Sequence, residues 1–177
     1  MTIYTFHADG NHYRNYLWAT EHDLELLRTV RGQPLGSGWS PARVYADKRD
    51  RRLPLGDHPG LYLGSGVPAL SERAVELLRE LLLPVGELLP LICEDQPLWL
   101  FNCTHIADVL DEEASVFKAD AEGTIYWFER FAWRPEAEDQ AFFRLPRTTV
   151  NATYLSERVA QIIRASDLRG FDLRPTP

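Results

Sequence analysis

The sequence predicts an α+β protein: a mainly antiparallel sheet with two principal helices, at about 70–83 and 154–164. Three observations carry that expectation. Leu70, Ala74, Leu77, Leu78 and Leu81 recur at helical spacing, with Arg73, Glu76 and Glu80 turned the other way. Leu155, Val159, Ile162 and Ile163 repeat the pattern near the end of the chain. Between them, Leu88 to Trp133 is rich in aromatic and β-branched residues interrupted by polar turns, which suits strands. Helices bracketing such a block give an α+β arrangement.

Residues 1–66 form a loop-rich part. Tyr4, Phe6, His7, Tyr13, Tyr16 and Trp18 alternate with polar residues, and a short helix is expected from Glu21 to Arg28. From Gly32 to Gly66, Gly, Pro and Arg dominate, so loops with short strands at Arg43–Tyr45 and Leu61–Leu63 are expected. Leu-Gly-Ser-Gly occurs at 35–38 and again at 63–66. The flanks share nothing, so these are turns and not a repeat.

Ser71 suits an N-cap, and Glu72 places a carboxylate at the positive end of the helix. Pro84 and Gly86 stop that helix. Pro97 to Cys103 is a short apolar strand; Asp108 to Asp111 is a turn; after Gly123 a strand runs from Thr124 to Trp133. On that strand Trp127 and Trp133 share one face, with Tyr126 and Phe128 on the other. Trp39, Trp99, Trp127 and Trp133 are expected mostly in the core. Strands at Ala141–Leu145 and Thr148–Asn151 follow; Thr153 or Ser156 caps the last helix, and Gly170 closes it.

A chain of 177 residues suits one domain spanning 1–177, large enough to bury a core without covalent staples. Its net charge of −7 argues against a surface that tracks nucleic-acid phosphates, which needs clustered Lys and Arg. Acidity suits solubility or a basic partner. Met1-Thr2-Ile3-Tyr4 shows no basic, apolar leader, and the most apolar run, Leu77 to Leu91, is broken by charges and prolines. Two cysteines make no disulfide framework. A cytoplasmic protein that does not engage membranes is expected.

One family pattern fits. Trp39-Ser40-Pro41 and Asp57-His58-Pro59 come first, then Leu70-Ser71-Glu72-Arg73-Ala74 opening a helix. Leu89-Pro90-Leu91, an aromatic strand from Trp99 to Asn102, Asp108 to Asp111, and Ser115 follow. Gly123, Ile125 to Phe131 and Phe143-Arg144-Leu145 complete the series. In this order they resemble the immunity-protein family of bacterial polymorphic toxin systems, first described as a domain of unknown function. The likeness covers roughly residues 32 to 174, with its core at 67–174. It departs at the end, where Gly170-Phe171-Asp172-Leu173 is followed by Arg174-Pro175-Thr176-Pro177 instead of an aromatic run. The resemblance implies a non-enzymatic protein that binds a cognate toxin and neutralises it by occlusion, with no cofactor. Trp39, Pro41, Asp108, Asp111 and Ser115 would then be structural residues of the motif.

The residues themselves leave alternatives. Gly64-Ser65-Gly66 and Gly36-Ser37-Gly38 lack the lysine of a phosphate loop and the frame of a nucleophile elbow. Cys93, Cys103 and His105 lack the paired spacing of a zinc site, so buried thiols are expected and no metal. Asp108, Asp111, Glu112 and Glu113 form the densest acidic cluster. It suits a turn braced by Asp side chains, an acidic contact face, or a carboxylate site with Ser115 in a small enzyme. A ligand-binding or scaffold domain using the aromatic N-terminal segment is a further alternative. The five histidines show no metal spacing, and two glycosylation sequons would be idle in the cytosol. If a toxin is the partner, exposed acids in or beside loops are the expected contacts: Asp47, Asp57, Glu112, Glu113, Glu136, Glu138 and Asp139.

Overall fold

The computed structural model describes residues 1–63 and 66–177. Among them lie three α-helices: α1 (Glu21–Thr29), α2 (Glu72–Leu82) and α3 (Glu157–Ala165). Eleven strands accompany them: β1 (Ile3–Ala8), β2 (Tyr16–Trp18), β3 (Ala42–Ala46), β4 (Ala69–Ser71), β5 (Gly86–Ile92), β6 (Leu98–Cys103), β7 (Val116–Ala119), β8 (Ile125–Arg130), β9 (Phe142–Phe143), β10 (Tyr154–Ser156) and β11 (Phe171–Pro175). They form a five-stranded sheet in the order β2-β3-β5-β6-β4, a four-stranded sheet β11-β1-β10-β9, and the hairpin β7-β8. Only β3 and β5 pair in parallel. The chain is therefore α+β with mostly antiparallel sheets.

β6 pairs with both β5 and β4, and five of its six residues are buried, which is why Leu98 to Cys103 is continuously apolar apart from Asn102. One core lies between the sheets, with Leu70, Leu78, Phe101, Phe142, Leu155 and Val159 packed together. A second lies under α1, around Tyr16, Val44, Leu89 and Leu100. The third, around Ile3, Leu110, Phe143 and Tyr154, is closed by the hairpin aromatics.

Both later helices start later than their periodicity suggests. Residues 69–71 and 154–156 are strands, pairing with β6 and with β1 and β9 respectively. The cap serines have extended backbone, so the residues before them join a sheet and the helix begins at the next residue. Ser71 caps α2 as expected, its Oγ accepting the Ala74 N–H at 3.3 Å. Ser156 makes no cap bond, and its buried Oγ has no partner among the described residues. The two units share a tetrapeptide, Leu70-Ser71-Glu72-Arg73 and Leu155-Ser156-Glu157-Arg158. Leu70, Ala74, Val75 and Leu78 correspond to Leu155, Val159, Ala160 and Ile163, and all eight enter the same core.

The buried stripe of α2 is Ala74, Val75, Leu78 and Leu82; Leu77 is exposed, and so is Ile162 on α3. Both lie one step round the helix from the core-facing stripe. Thr148–Asn151 is no strand, because its only ladder contact is a single bridge from Thr148 to Ile125. Leu61 likewise makes one bridge, to Tyr16, and Leu63 sits at φ 58°, which ends any strand there. Gly64 and Ser65 of the second Gly-Ser-Gly turn lie outside the described residues. The strand expected to run to Trp133 stops at Arg130: Trp133 turns into the third core, while Tyr126 and Trp127 stay exposed. Trp39 and Trp99 are half-buried. In the N-terminal segment Tyr4, Tyr16 and Trp18 are buried core residues, while Phe6, His7 and Tyr13 are half-buried. No helix among the described residues is long and apolar enough to cross a membrane.

Candidate functional site

Two loops carry an acidic surface. The Asp108–Ser115 turn and the Phe131–Gln140 return run side by side: the Asp111 N–H donates to Ala132 O at 2.9 Å, and the Arg134 N–H donates to Val109 O at 2.9 Å. Leu110 and Trp133 pair across them. Asp111 braces the turn, its Oδ1 accepting the Ala114 N–H at 3.1 Å. Ser115 closes the other side, accepting the Ala132 N–H at 2.9 Å and donating to Ala132 O at 3.3 Å. Its hydroxyl is thus committed to backbone on both counts and meets no carboxylate or base. Apolar Val109 and Leu110 point into the third core and anchor the turn beneath.

Outward, Asp108, Glu113, Glu136, Glu138 and Asp139 are exposed, with Asp111 and Glu112 half-buried. The last three exposed acids ride on a short 3₁₀ turn, Pro135–Asp139, whose Ala137 is fully buried. Arg134 lies 3.7 Å from Asp108, and Arg147 pairs with Glu112. Arg130 donates to Ala114 O at 3.0 Å. Seven carboxylates thus share this ledge with three guanidiniums, and the fold joins the 108–113 and 136–139 groups that the sequence separates.

Asp47 and Asp57 were expected among the exposed contacts, and the structure corrects both. Asp57 is buried. Its Oδ1 accepts the Ser71 hydroxyl at 2.7 Å, and its Oδ2 accepts the Arg169 N–H at 2.8 Å with Arg73 at 3.8 Å. It ties the loop before α2 to the segment after α3. Asp47 is also largely covered, and Arg49 bonds it through its backbone N–H at 2.9 Å and its guanidinium at 2.7 Å. Those bonds hold the Asp47 carboxyl down at about 2. Asp47 is consumed by Arg49 two residues on, and Asp57 by donors from Ser71 and from Arg169, distant in the chain.

The asparagine ending the aromatic strand has a structural task. Asn102, buried in β6, accepts the Gly32 N–H at 3.0 Å and donates to Gln33 O at 2.9 Å and to Glu87 at 2.8 Å. Glu87 in turn accepts the N–H groups of Leu35 at 2.7 Å and Gly36 at 3.0 Å. Those donors outweigh its partial burial and keep its carboxyl below the ordinary value. Gly32 stands at φ +82°, and a Cβ there would lie 2.6 Å from Arg144 Nε, so only glycine fits. The Trp39 indole donates to Pro90 O at 2.9 Å, pinning the same loop to β5. Pro41 is exposed immediately before β3, where no ladder N–H is needed.

The cysteines and histidines stand apart. Cys103 is buried, which pushes its thiol up to about 11; Cys93 is half-buried. His58 is buried against Phe6 and Phe171, its Nδ1 2.8 Å from Ala69 O, and burial pushes it down to about 4. His105 bonds Gln140 at 2.8 Å, and His12 bonds Asp9 at 2.8 Å. No cluster of three or more His, Cys, Asp or Glu among the described residues could hold a metal. No protein-family model matches the chain, and no curated protein matches it.

Proposed function

We propose that this chain is an immunity-type binding protein that neutralises a protein toxin by covering it, and that the ledge of residues 108–113 and 136–139 is its contact surface. The observation that carries this reading is the ledge itself: five exposed carboxylates on two loops locked together by backbone bonds over a packed aromatic floor. A rigid, acidic face suits a basic partner, because complementary potentials speed encounter and fix orientation. The ordered motif from Leu89 to Leu145 supports the family. Ser115 and Asp111 act in holding the turn, so binding is the role left to the surrounding acids.

The test is co-expression with the product of the adjacent gene. Growth arrest by that product should be relieved by this chain, and the two should purify as a complex. Relief should survive Asp111→Ala. Failure to form any complex, with growth still arrested, overturns the proposal.

A further inference from the structure

A wide cleft of about 910 Å³ opens on another part of the surface, between the hairpin strand β8, the end of β1, the end of α1 and residues 149–154. Its volume lies within the range of small-molecule sites, roughly 300–1,000 Å³. One wall is aromatic. A register shift in the β7–β8 ladder, with Lys118 opposite Trp127 and Ala119 opposite Ile125, leaves Tyr126 as an extra residue and breaks the expected alternation of faces. Tyr126 and Trp127 are 52% and 43% exposed and both line the cleft, with Phe128 stacked on Phe131 at 4.3 Å. Phe131 is itself braced edge-on by Tyr154 at 5.8 Å, so the wall is firm. Arg28 and Arg31 line the same cleft.

The charge of this cleft runs against that of the chain. The protein carries 26 Asp and Glu among 177 residues, yet none of the 26 described residues lining the cleft is acidic. At the average acid content about four would be expected by proportion. Arg28 and Arg31 are both exposed, and neither has a carboxylate within ion-pair distance among the described residues. Arg31 is turned back over the helix end, its Nε donating to Arg28 O at 2.8 Å, which brings the two arginines to one rim. The negative end of α1 favours cations there but neutralises only part of their charge. Exposed flat rings and unpaired guanidiniums lining one cleft are the combination that takes a planar base and its phosphates together.

We infer that this cleft is a binding site for a small ligand of the nucleotide class, its ring lying against Trp127 and Tyr126 and its phosphates held by Arg28 and Arg31. The site is separate from the acidic ledge and does not depend on the toxin-binding role. A free nucleotide suits it better than a nucleic-acid strand, because the surrounding chain is acidic and offers no continuous basic track.

The full chain is titrated with ATP, ADP, adenosine and pyrophosphate, followed by calorimetry and tryptophan fluorescence. ATP and ADP should bind saturably with Kd of roughly 0.1 mM or tighter, and adenosine and pyrophosphate at least about tenfold more weakly. The Arg28→Gln/Arg31→Gln double variant should lose at least about tenfold in ATP affinity, and Trp127→Ala should do the same. Trp127→Phe should keep binding by calorimetry while the fluorescence change disappears. All three positions are exposed, so unchanged thermal unfolding of the variants is expected and is checked alongside. Absence of saturable binding overturns the inference, as does full binding by the double-arginine variant. Tighter capture of a polyglutamate peptide than of ATP overturns it too, and would assign the cleft to an acidic protein segment.

Discussion

Replacing Asn102 with Ala should be among the most damaging single changes in the protein. The side chain makes three hydrogen bonds in a buried setting: from Gly32 N at 3.0 Å, to Gln33 O at 2.9 Å and to the Glu87 carboxylate at 2.8 Å. Two neutral bonds at about 1 kcal/mol each and one charge-assisted bond at about 2 kcal/mol give a loss of about 4 kcal/mol. For a chain of this length that lowers Tm by roughly 10 °C. Urea unfolding at pH 7 measures the free energy directly. Asn102→Asp sharpens the test. It keeps an acceptor for Gly32 but sets a second carboxylate against Glu87, so its deficit relative to the unmodified chain should be larger at pH 7 than at pH 5, where one of the pair gains a proton. A loss below about 1 kcal/mol for Asn102→Ala, or a pH-independent deficit for Asn102→Asp, would refute the assignment of this network as the anchor of the 32–38 loop.

Three further outcomes are expected. His58 has a folded-state value of about 4 against an ordinary 6.5, so the unfolded chain binds the proton first as pH falls. Stability should be full above pH 6.5 and decline toward pH 4 by up to about 3 kcal/mol, a slope that His58→Gln should flatten. The paired serines should behave oppositely. Ser71→Ala loses both the helix cap and the bond to Asp57, costing about 2 kcal/mol, whereas Ser156→Ala removes a buried hydroxyl without a partner and should be neutral within about 0.5 kcal/mol. Asp57→Ala should cost about 2–4 kcal/mol in unfolding experiments and leave toxin affinity unchanged, since its carboxylate faces inward.

The α+β class, the Ser71 cap and the β6 strand were legible because each follows from local periodicity or local chemistry. The starts of α2 and α3 were not. Whether Ala69 to Ser71 extends a helix or joins a sheet depends on β6, about thirty residues away. The duplicated Leu-Ser-Glu-Arg was present in the sequence as a signal for two matching strand–helix units, less conspicuous than the repeated Leu-Gly-Ser-Gly. Asp111 and Ser115 stood out by motif, and the structure shows why they occur together: they grip Ala114 and Ala132. Asp57 resembled the other loop acids because its burial is decided by donors such as Arg169, far off in the chain; Asp47 is held by Arg49 two residues on, but its burial depends on how the loop folds. The cleft was invisible for the same reason. Arg28 and Trp127 lie about one hundred residues apart, and only the fold puts them on one opening.

The ledge is tested most directly by the affinity of the purified chain for the adjacent gene's toxin domain, measured across salt for the unmodified protein and for a Glu113→Lys/Glu136→Lys/Glu138→Lys variant. These three carboxylates are exposed, so the variant should fold normally. Affinity of the unmodified chain should fall as salt rises, and the variant should bind at least about tenfold more weakly at low salt, chiefly through slower association. Tight binding by both proteins, alike at every salt concentration, would place the contact elsewhere and contradict the role proposed for residues 108–113 and 136–139.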